Sequence, residues 1–252
     1  MAEYVGFDVS KEETSFCVMD EAGKILGQGK ALSDPEALFA MLKEHTLCPE
    51  RIVLETGTLS NWLARGLHEY GLPVDVIDAR QAHAVMKLQH NKTDANDAIL
   101  LAEIARTGFC RSVAVSSEAA QEHRILIKAR KLLVSQRTAT QNAIRGFLSS
   151  LGLRFPKGSG KLGERVLTVL TARPDLSPLI EPLLSSAENL AQEIARFDQE
   201  IKARAGEMVA CRLLMTVPGI AHNTALAFVA TIDEPSRFTD SRAVGAYLGL
   251  TS

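Results

Sequence analysis

The chain has 252 residues, 46% of them hydrophobic and 23% charged, with a formal net charge of -2. That length holds one or two domains with a real core, and that charge excludes a simple basic nucleic-acid binder. Aromatic residues make up 5%, too few for a base-stacking surface. Cys17, Cys48, Cys110 and Cys211 lie far apart with no Cys-x-x-Cys, which excludes a zinc ribbon and a disulfide framework. The opening MAEYVGFDVS lacks the basic and apolar regions of a signal peptide. No apolar run reaches the roughly 18 residues of a membrane span, so a cytoplasmic protein with no membrane partner is expected.

Tyr4–Lys11, YVGFDVSK, reads as a buried strand that ends in an acid, Asp8. An unpaired carboxylate inside a protein costs several kcal/mol, so Asp8 is expected to tip into a cleft or to bind a cation. TSFCVMD alternates as a second strand, Glu21–Lys24 turns, and Ile25–Leu32 returns. Ser33-Asp34-Pro35-Glu36 then starts a helix, with a cap, Pro at the first position and an acid in the first turn. That helix runs to about His45 with Leu38, Phe39 and Leu42 inward.

Arg51–Thr56 is a short apolar strand carrying Glu55, and Leu59–Tyr70 is an amphipathic helix in which Trp62 is expected in the core. Pro73–Asp78 is another strand, and 79–87 is expected to be helical. His90-Asn91-Lys92 is a loop, and Thr93 caps a helix from Asp94 to about Arg106. Three strands followed by alternating helix and strand make an α/β pattern.

The character changes near Ser117. Residues 117–151 read as a long basic helix with Ile125, Leu132, Leu133, Ile144, Phe147 and Leu151 as its apolar positions, and 154–163 as a basic Gly/Pro-rich loop. A second long helix runs from about Pro178 to Met208. Its Leu183, Ala187, Leu190, Ile194, Phe197, Ile201, Ala205 and Met208 step by threes and fours, the spacing of a coiled-coil seam that pairs within the chain or between protomers. Leu213–Ala225 resembles a helix–hairpin–helix turn, in which Gly219 lets backbone N–H groups face a phosphate; Ala221 stands where a second Gly is usual. Ser241–Leu248 is the last helix. Three parts are expected: 1–112, 113–208 and 209–252.

Charge is divided along this order. Residues 1–60 hold 11 acids against 5 Lys and Arg, net -6, while 123–165 hold 10 Lys and Arg against 1 acid, net +9. One acidic end and one basic middle suit a cation site beside a phosphate-binding surface. Candidates for phosphate contact are Lys92, Lys128, Arg130, Lys131, Arg137, Arg145, Lys157 and Lys161, with Gly219 at the hairpin.

Four carboxylates stand out. Asp8 and Glu55 end strands at one edge of one sheet, and Asp94 and Asp97 share a helix face. Taken singly each also suits a cap, a turn or a helix dipole, as Asp75 and Asp78 do. Together they form an oxygen-rich set of the kind magnesium prefers. Two such ions, held about 3.5–4 Å apart, activate the attacking oxygen and stabilise the leaving oxygen of a phosphodiester.

GFDVSK around Asp8, VLETG around Glu55, KTDANDA around Asp94 and Asp97, LLMTVPGI and AVGAYLGL together resemble the DEDD transposases of bacterial mobile elements, the insertion-sequence 110 family. The resemblance runs in order along nearly the whole chain. It implies an RNase H-like N-terminal domain similar to the junction resolvase RuvC, whose Asp-Glu-Asp-Asp set carries over to Asp8, Glu55, Asp94 and Asp97 and binds magnesium. It further implies a coiled coil that assembles protomers into a dimer or tetramer. A helical C-terminal domain would supply a DNA-attacking serine, and a structured non-coding RNA would guide donor and target DNA. That serine lies downstream of the Tyr-Leu-Gly-Leu segment, here Tyr247–Leu250, after which Thr251 and Ser252 remain; a truncated chain unable to complete recombination is the expectation. Two other classes compete. A sugar kinase or actin-like ATPase also opens with a strand, an Asp and a hairpin but needs Gly-rich phosphate loops, and tight ATP binding would mark it. A non-catalytic nucleic-acid-binding remnant would keep binding and lack chemistry.

Overall fold

In the computed structural model, residues 2–46, 48–80, 94–109, 111–154 and 162–250 are described. The chain divides into two units, Met1–Ser116 and Ser117–Ser252.

The first unit is built on a mixed six-stranded sheet in the order β3-β2-β1-β4-β5-β6. Its strands are β1 (Glu3–Val9), β2 (Glu13–Asp20), β3 (Ile25–Leu32), β4 (Pro49–Glu55), β5 (Val74–Ile77) and β6 (Ser112–Val113). β1, β2 and β3 form the expected antiparallel meander, while β4 runs parallel to β1 and β5 parallel to β4. Short β6 closes the sheet antiparallel to β5 and escapes the sequence reading, because two residues carry no periodicity.

Alternation sorts the strand residues onto two faces. Val5 and Phe7 of β1, Phe16 and Val18 of β2, and Ile52 and Leu54 of β4 face helices α1 (Pro35–His45) and α2 (Ser60–Glu69) in one core. Asp34 caps α1 through the backbone N–H groups of Glu36 and Ala37, as its sequence predicts. Leu38, Met41 and Leu42 are buried, whereas Phe39 is half-buried and stacks on Tyr70, ring centroids 4.1 Å apart. Trp62 is 44% exposed, not core: the inward stripe of α2 is Leu63, Ala64 and Leu67, and Trp62 stands just off it.

The other face is covered by α3 (Asp94–Thr107), which buries Ala98, Leu101, Ala102 and Ile104 on Tyr4, Cys17, Met19, Val53 and Ile77. Residues 79 and 80 are helical; the rest of the helix expected to 87, and the loop at 90–92, lie outside the described residues.

The second unit is helical. Helix α4 (Glu118–Ser150) packs along α6 (Ser177–Glu207) within the chain. The buried line of α6 is Ile180, Leu184, Ala187, Ile194, Ile201 and Ala205. Leu183, Leu190 and Phe197 of the expected seam are half-buried beside it. At one end α5 (Leu162–Ala172), absent from the sequence reading, covers Ile144, Leu148, Ile180 and Leu184 with Leu162, Val166 and Leu170. At the other, α7 (Val209–Leu214) and α8 (His222–Ile232) set Cys211, Ala225 and Leu226 against Ile201 and Ala205. Helix α9 (Ser241–Tyr247) follows, capped by Asp240. Among the described residues no helix is long and apolar enough to cross a membrane.

Candidate active site

The geometry of the acids follows from strand register. Phe7 of β1 pairs with Leu54 of β4 in parallel alignment, so the next residues, Asp8 and Glu55, lie side by side. Adjacent strands are about 4.8 Å apart. Both residues are half-buried and share the face of Gly6 and Val53, the one α3 covers.

Gly6 fixes where α3 crosses. A Cβ there would fall on the carbonyl oxygen of Ala98 and the amide nitrogen of Ala102, so helix and strand meet backbone to backbone. Tyr4, two residues earlier, packs with Leu100, Leu101, Ile104 and Ala105. The helix therefore runs opposite to β1, and its first turn, with Asp94 and Asp97, passes over the end of the strand where Asp8 sits. Asp97 is half-buried and Asp94 exposed.

The register continues across the sheet. Asp8 pairs with Ser15 and Ser15 with Lys30, giving a row Lys30–Ser15–Asp8–Glu55 on one face. Lys30 Nζ lies 3.7 Å from Asp94 Oδ2 and 3.8 Å from Glu13 Oε2. Sequence reasoning missed Lys30, since only the pairing of three strands brings it to the acids.

A cleft of about 390 Å³ opens at the strand ends, lined by Val9, Ser10, Lys11, Glu55, Gly57, Thr58 and Leu59. Hydroxyl bonds hold its walls. The buried Ser33 hydroxyl donates to Ser10 O (2.8 Å) and so accepts from Thr14 Oγ1 (2.8 Å), pinning the β1–β2 turn. Ser60 Oγ donates to Gly57 O (2.9 Å) and accepts from Gly57 N (3.1 Å), fixing the chain just past Glu55. Lys11 lies inside the GFDVSK segment, where its position three residues after Asp8 was the available signal.

Nearby acids are otherwise engaged. Asp75 accepts from Arg51 Nε (2.6 Å) and Ser112 Oγ (2.6 Å). Asp78 accepts from Arg80, whose hydrogen bonds hold its carboxyl below the usual carboxylate range. Burial pushes the Cys17 thiol up to about 11, an inert thiol under the same face.

The structure thus brings the four acids to one end of one sheet face. Among the described residues it does not close any three His, Cys, Asp or Glu around one point at metal-binding distance. The donor set fits a hard divalent cation in kind, being carboxylate oxygen throughout, with Glu55 lining an open cleft.

The predicted phosphate contacts are scattered. Lys128 and Lys131 are exposed on α4. Arg130 is committed to Asp198 of α6 (Nε–Oδ1 2.9 Å), and Arg145 donates to Asn142 on its own helix (2.9 Å). Arg137 lines a cleft of about 520 Å³ with Gln141, Glu164, Glu188 and Gln192, so acids flank its charge. Gly219 takes φ +89° in an exposed turn between α7 and α8, which only glycine adopts without strain. Lys92, Lys157 and Lys161 lie outside the described residues.

Comparison with known proteins shows the family of the chain. Residues 5–152, more than half of the chain, match the DEDD-type IS110 transposase family model, and residues 211–252 match a second model, the transposase IS116/IS110/IS902 family. The chain is similar to the transposase for insertion sequence element IS1111A of Coxiella burnetii, 27% identical over 251 residues that cover 98% of this chain and 67% of that protein. It is also similar to a probable family 20 transposase of Pseudomonas aeruginosa (29% over 210 residues, 81% and 62% of the two chains). A third relative is the transposase for insertion sequence element IS1328 of Yersinia enterocolitica (26% over 208 residues, 81% and 61%). The chain spans about two thirds of the length of these curated relatives. The kinase reading finds no support in these matches. The chain belongs to the IS110 family of transposases.

Proposed function

We propose that this chain carries the metal-dependent phosphoryl-transfer part of DNA transposition. Asp8, Glu55, Asp94 and Asp97 would hold magnesium, as two ions. The observation that carries the reading is the register placing Asp8 beside Glu55 under the acidic first turn of α3. Divalent cations bound there supply positive charge to a phosphodiester and its attacking oxygen. The protein's own part is positional. β1 and β4 present two carboxylates at a fixed spacing, α3 carries two more across them, and the Ser33 and Ser60 hydroxyls hold the cleft walls beside Glu55.

The first unit is RNase H-like, similar to RuvC, in this reading. The basic helix α4, through Lys128 and Lys131 above all, would track the phosphates of element and target DNA and of a structured guide RNA. Assembly into a dimer or tetramer would run along the long helices. Ile125 (66% exposed) and Leu132 (58% exposed) stand one heptad apart on α4 and favour it.

The test uses the purified chain, Mn2+ and Mg2+, and duplex DNA carrying the element ends, with and without the element's RNA. Mn2+ binding by calorimetry and metal-dependent DNA strand nicking, with water as the attacking group, are expected, and Asp8→Asn should lower both by about a hundredfold or more, the scale of losing an electrostatic catalytic group. Cleavage that survives chelation, or Asp8→Asn protein that binds Mn2+ unchanged, would overturn the proposal.

A further inference from the structure

We infer that Lys30 is a positioning residue that competes with the metal ion for the Asp94 carboxylate, and so sets the threshold at which the acid site loads. This rests on the metal-site reading proposed above. Lys30 stands two strands from Asp8 on the same register row, and its ammonium lies between Asp94 Oδ2 (3.7 Å) and Glu13 Oε2 (3.8 Å).

Both Lys30 partnerships are exposed, with side chains 54% accessible for Lys30, 62% for Asp94 and 57% for Glu13. Exposed pairs of this kind hold weakly and exchange readily. A divalent cation offers the Asp94 carboxylate twice the charge at shorter range. The two cations also repel, so a dication seated on Asp94 drives the ammonium away. Glu13, 3.8 Å away, gives Lys30 a second anchor, so the lysine shifts to it without leaving the sheet. The same lysine is then free for a non-bridging phosphate oxygen at the edge of the site.

Competition predicts a sign that an ordinary structural lysine does not. Lys30→Gln should bind Mn2+ about threefold to tenfold more tightly in calorimetric titration, since one competing charge within a few ångströms of a dication is removed. Lys30→Arg keeps the charge and should keep wild-type affinity. Lys24→Gln removes an equal charge in the β2–β3 turn, at the opposite end of β3, and should change nothing. An unchanged or weaker affinity in Lys30→Gln, or equal tightening in Lys24→Gln, overturns the inference. A wild-type chain that binds no Mn2+, or an Asp8→Asn variant that binds it as well as wild type, overturns the metal site beneath it instead. Lys30→Gln carries an exposed change, and a thermal melt matching wild type confirms that the titration compares folded proteins.

Discussion

The two units handle charge in opposite ways. In the sheet unit, polar groups are placed by backbone register: Lys30, Ser15, Asp8 and Glu55 fall in one row because four strands pair as they do. In the helical unit the basic excess lies on α4, which carries 6 Lys and Arg against 2 acids, while α6 carries 6 acids against 3 Lys and Arg. Arg130 is spent on Asp198 and Arg204 on Glu200 and Glu122, while Lys128 and Lys131 face outward. A sheet sets the spacing of neighbouring side chains; a helix pair offers a surface. In the proposed function, chemistry that needs fixed distances would fall to the first and backbone tracking that needs only charge to the second.

The largest expected effect strikes the sheet unit at its tightest point. Gly6→Ala puts a methyl into the backbone of α3 and should cost about 3 kcal/mol of stability, the upper end of overpacking. Denaturant unfolding measures it; a loss under about 1 kcal/mol would mean that α3 yields easily, and the contrast between rigid site and plain surface would weaken. Next comes Lys128→Glu with Lys131→Glu. This pair should leave the melting temperature unchanged, weaken nucleic-acid binding and lower the slope of log affinity against log salt by about two, one for each lysine. An unchanged slope would take the basic surface out of the comparison.

The smallest effect is one of pH. Arg106 holds the Glu103 carboxyl below its ordinary 4.5 by hydrogen bonding. Its contribution is therefore complete above pH 4.5 and fades as pH falls through the folded-state value. Both side chains are partly exposed, so the difference should be small. Wild type should lose about a degree or two more than Glu103→Gln in melting temperature on going from pH 6 to pH 3, at the few degrees per kcal/mol typical of domains this size. Parallel melting curves would show that the pair contributes nothing.

Much of the sheet unit was legible in the sequence, and for a definite reason. Asp34-Pro35 announces α1, alternation announces β1 and β2, and the acids at strand ends stand out against apolar neighbours. Lys30 was not legible, because a lysine in ILGQGKAL looks like any edge-strand charge until β2 is known to lie between it and Asp8. In the helical unit the long helices were plain from their length, yet α5 was missed. Its Leu162, Val166 and Leu170 repeat every four residues, but they follow a Gly/Pro-rich stretch that reads as loop. At the start of the α6 seam Leu184 is buried and Leu183 half-buried against the same cluster, because adjacent leucines both reach the contact. Trp62 was misread, since size alone does not say which side of a stripe a residue takes.

The backbone contact at Gly6 has a consequence for how this unit tolerates change in length. With no side chain between strand and helix, α3 cannot slide along β1 to absorb an inserted or deleted residue. One residue added between Asp97 and Ala102 would turn the acids by about 100° around the helix axis. Two carboxylates would leave the sheet end while every strand stayed folded. Chain length across that single turn is thus held to zero tolerance, and a shift in reading by one residue separates a protein with the fold from a protein with the site.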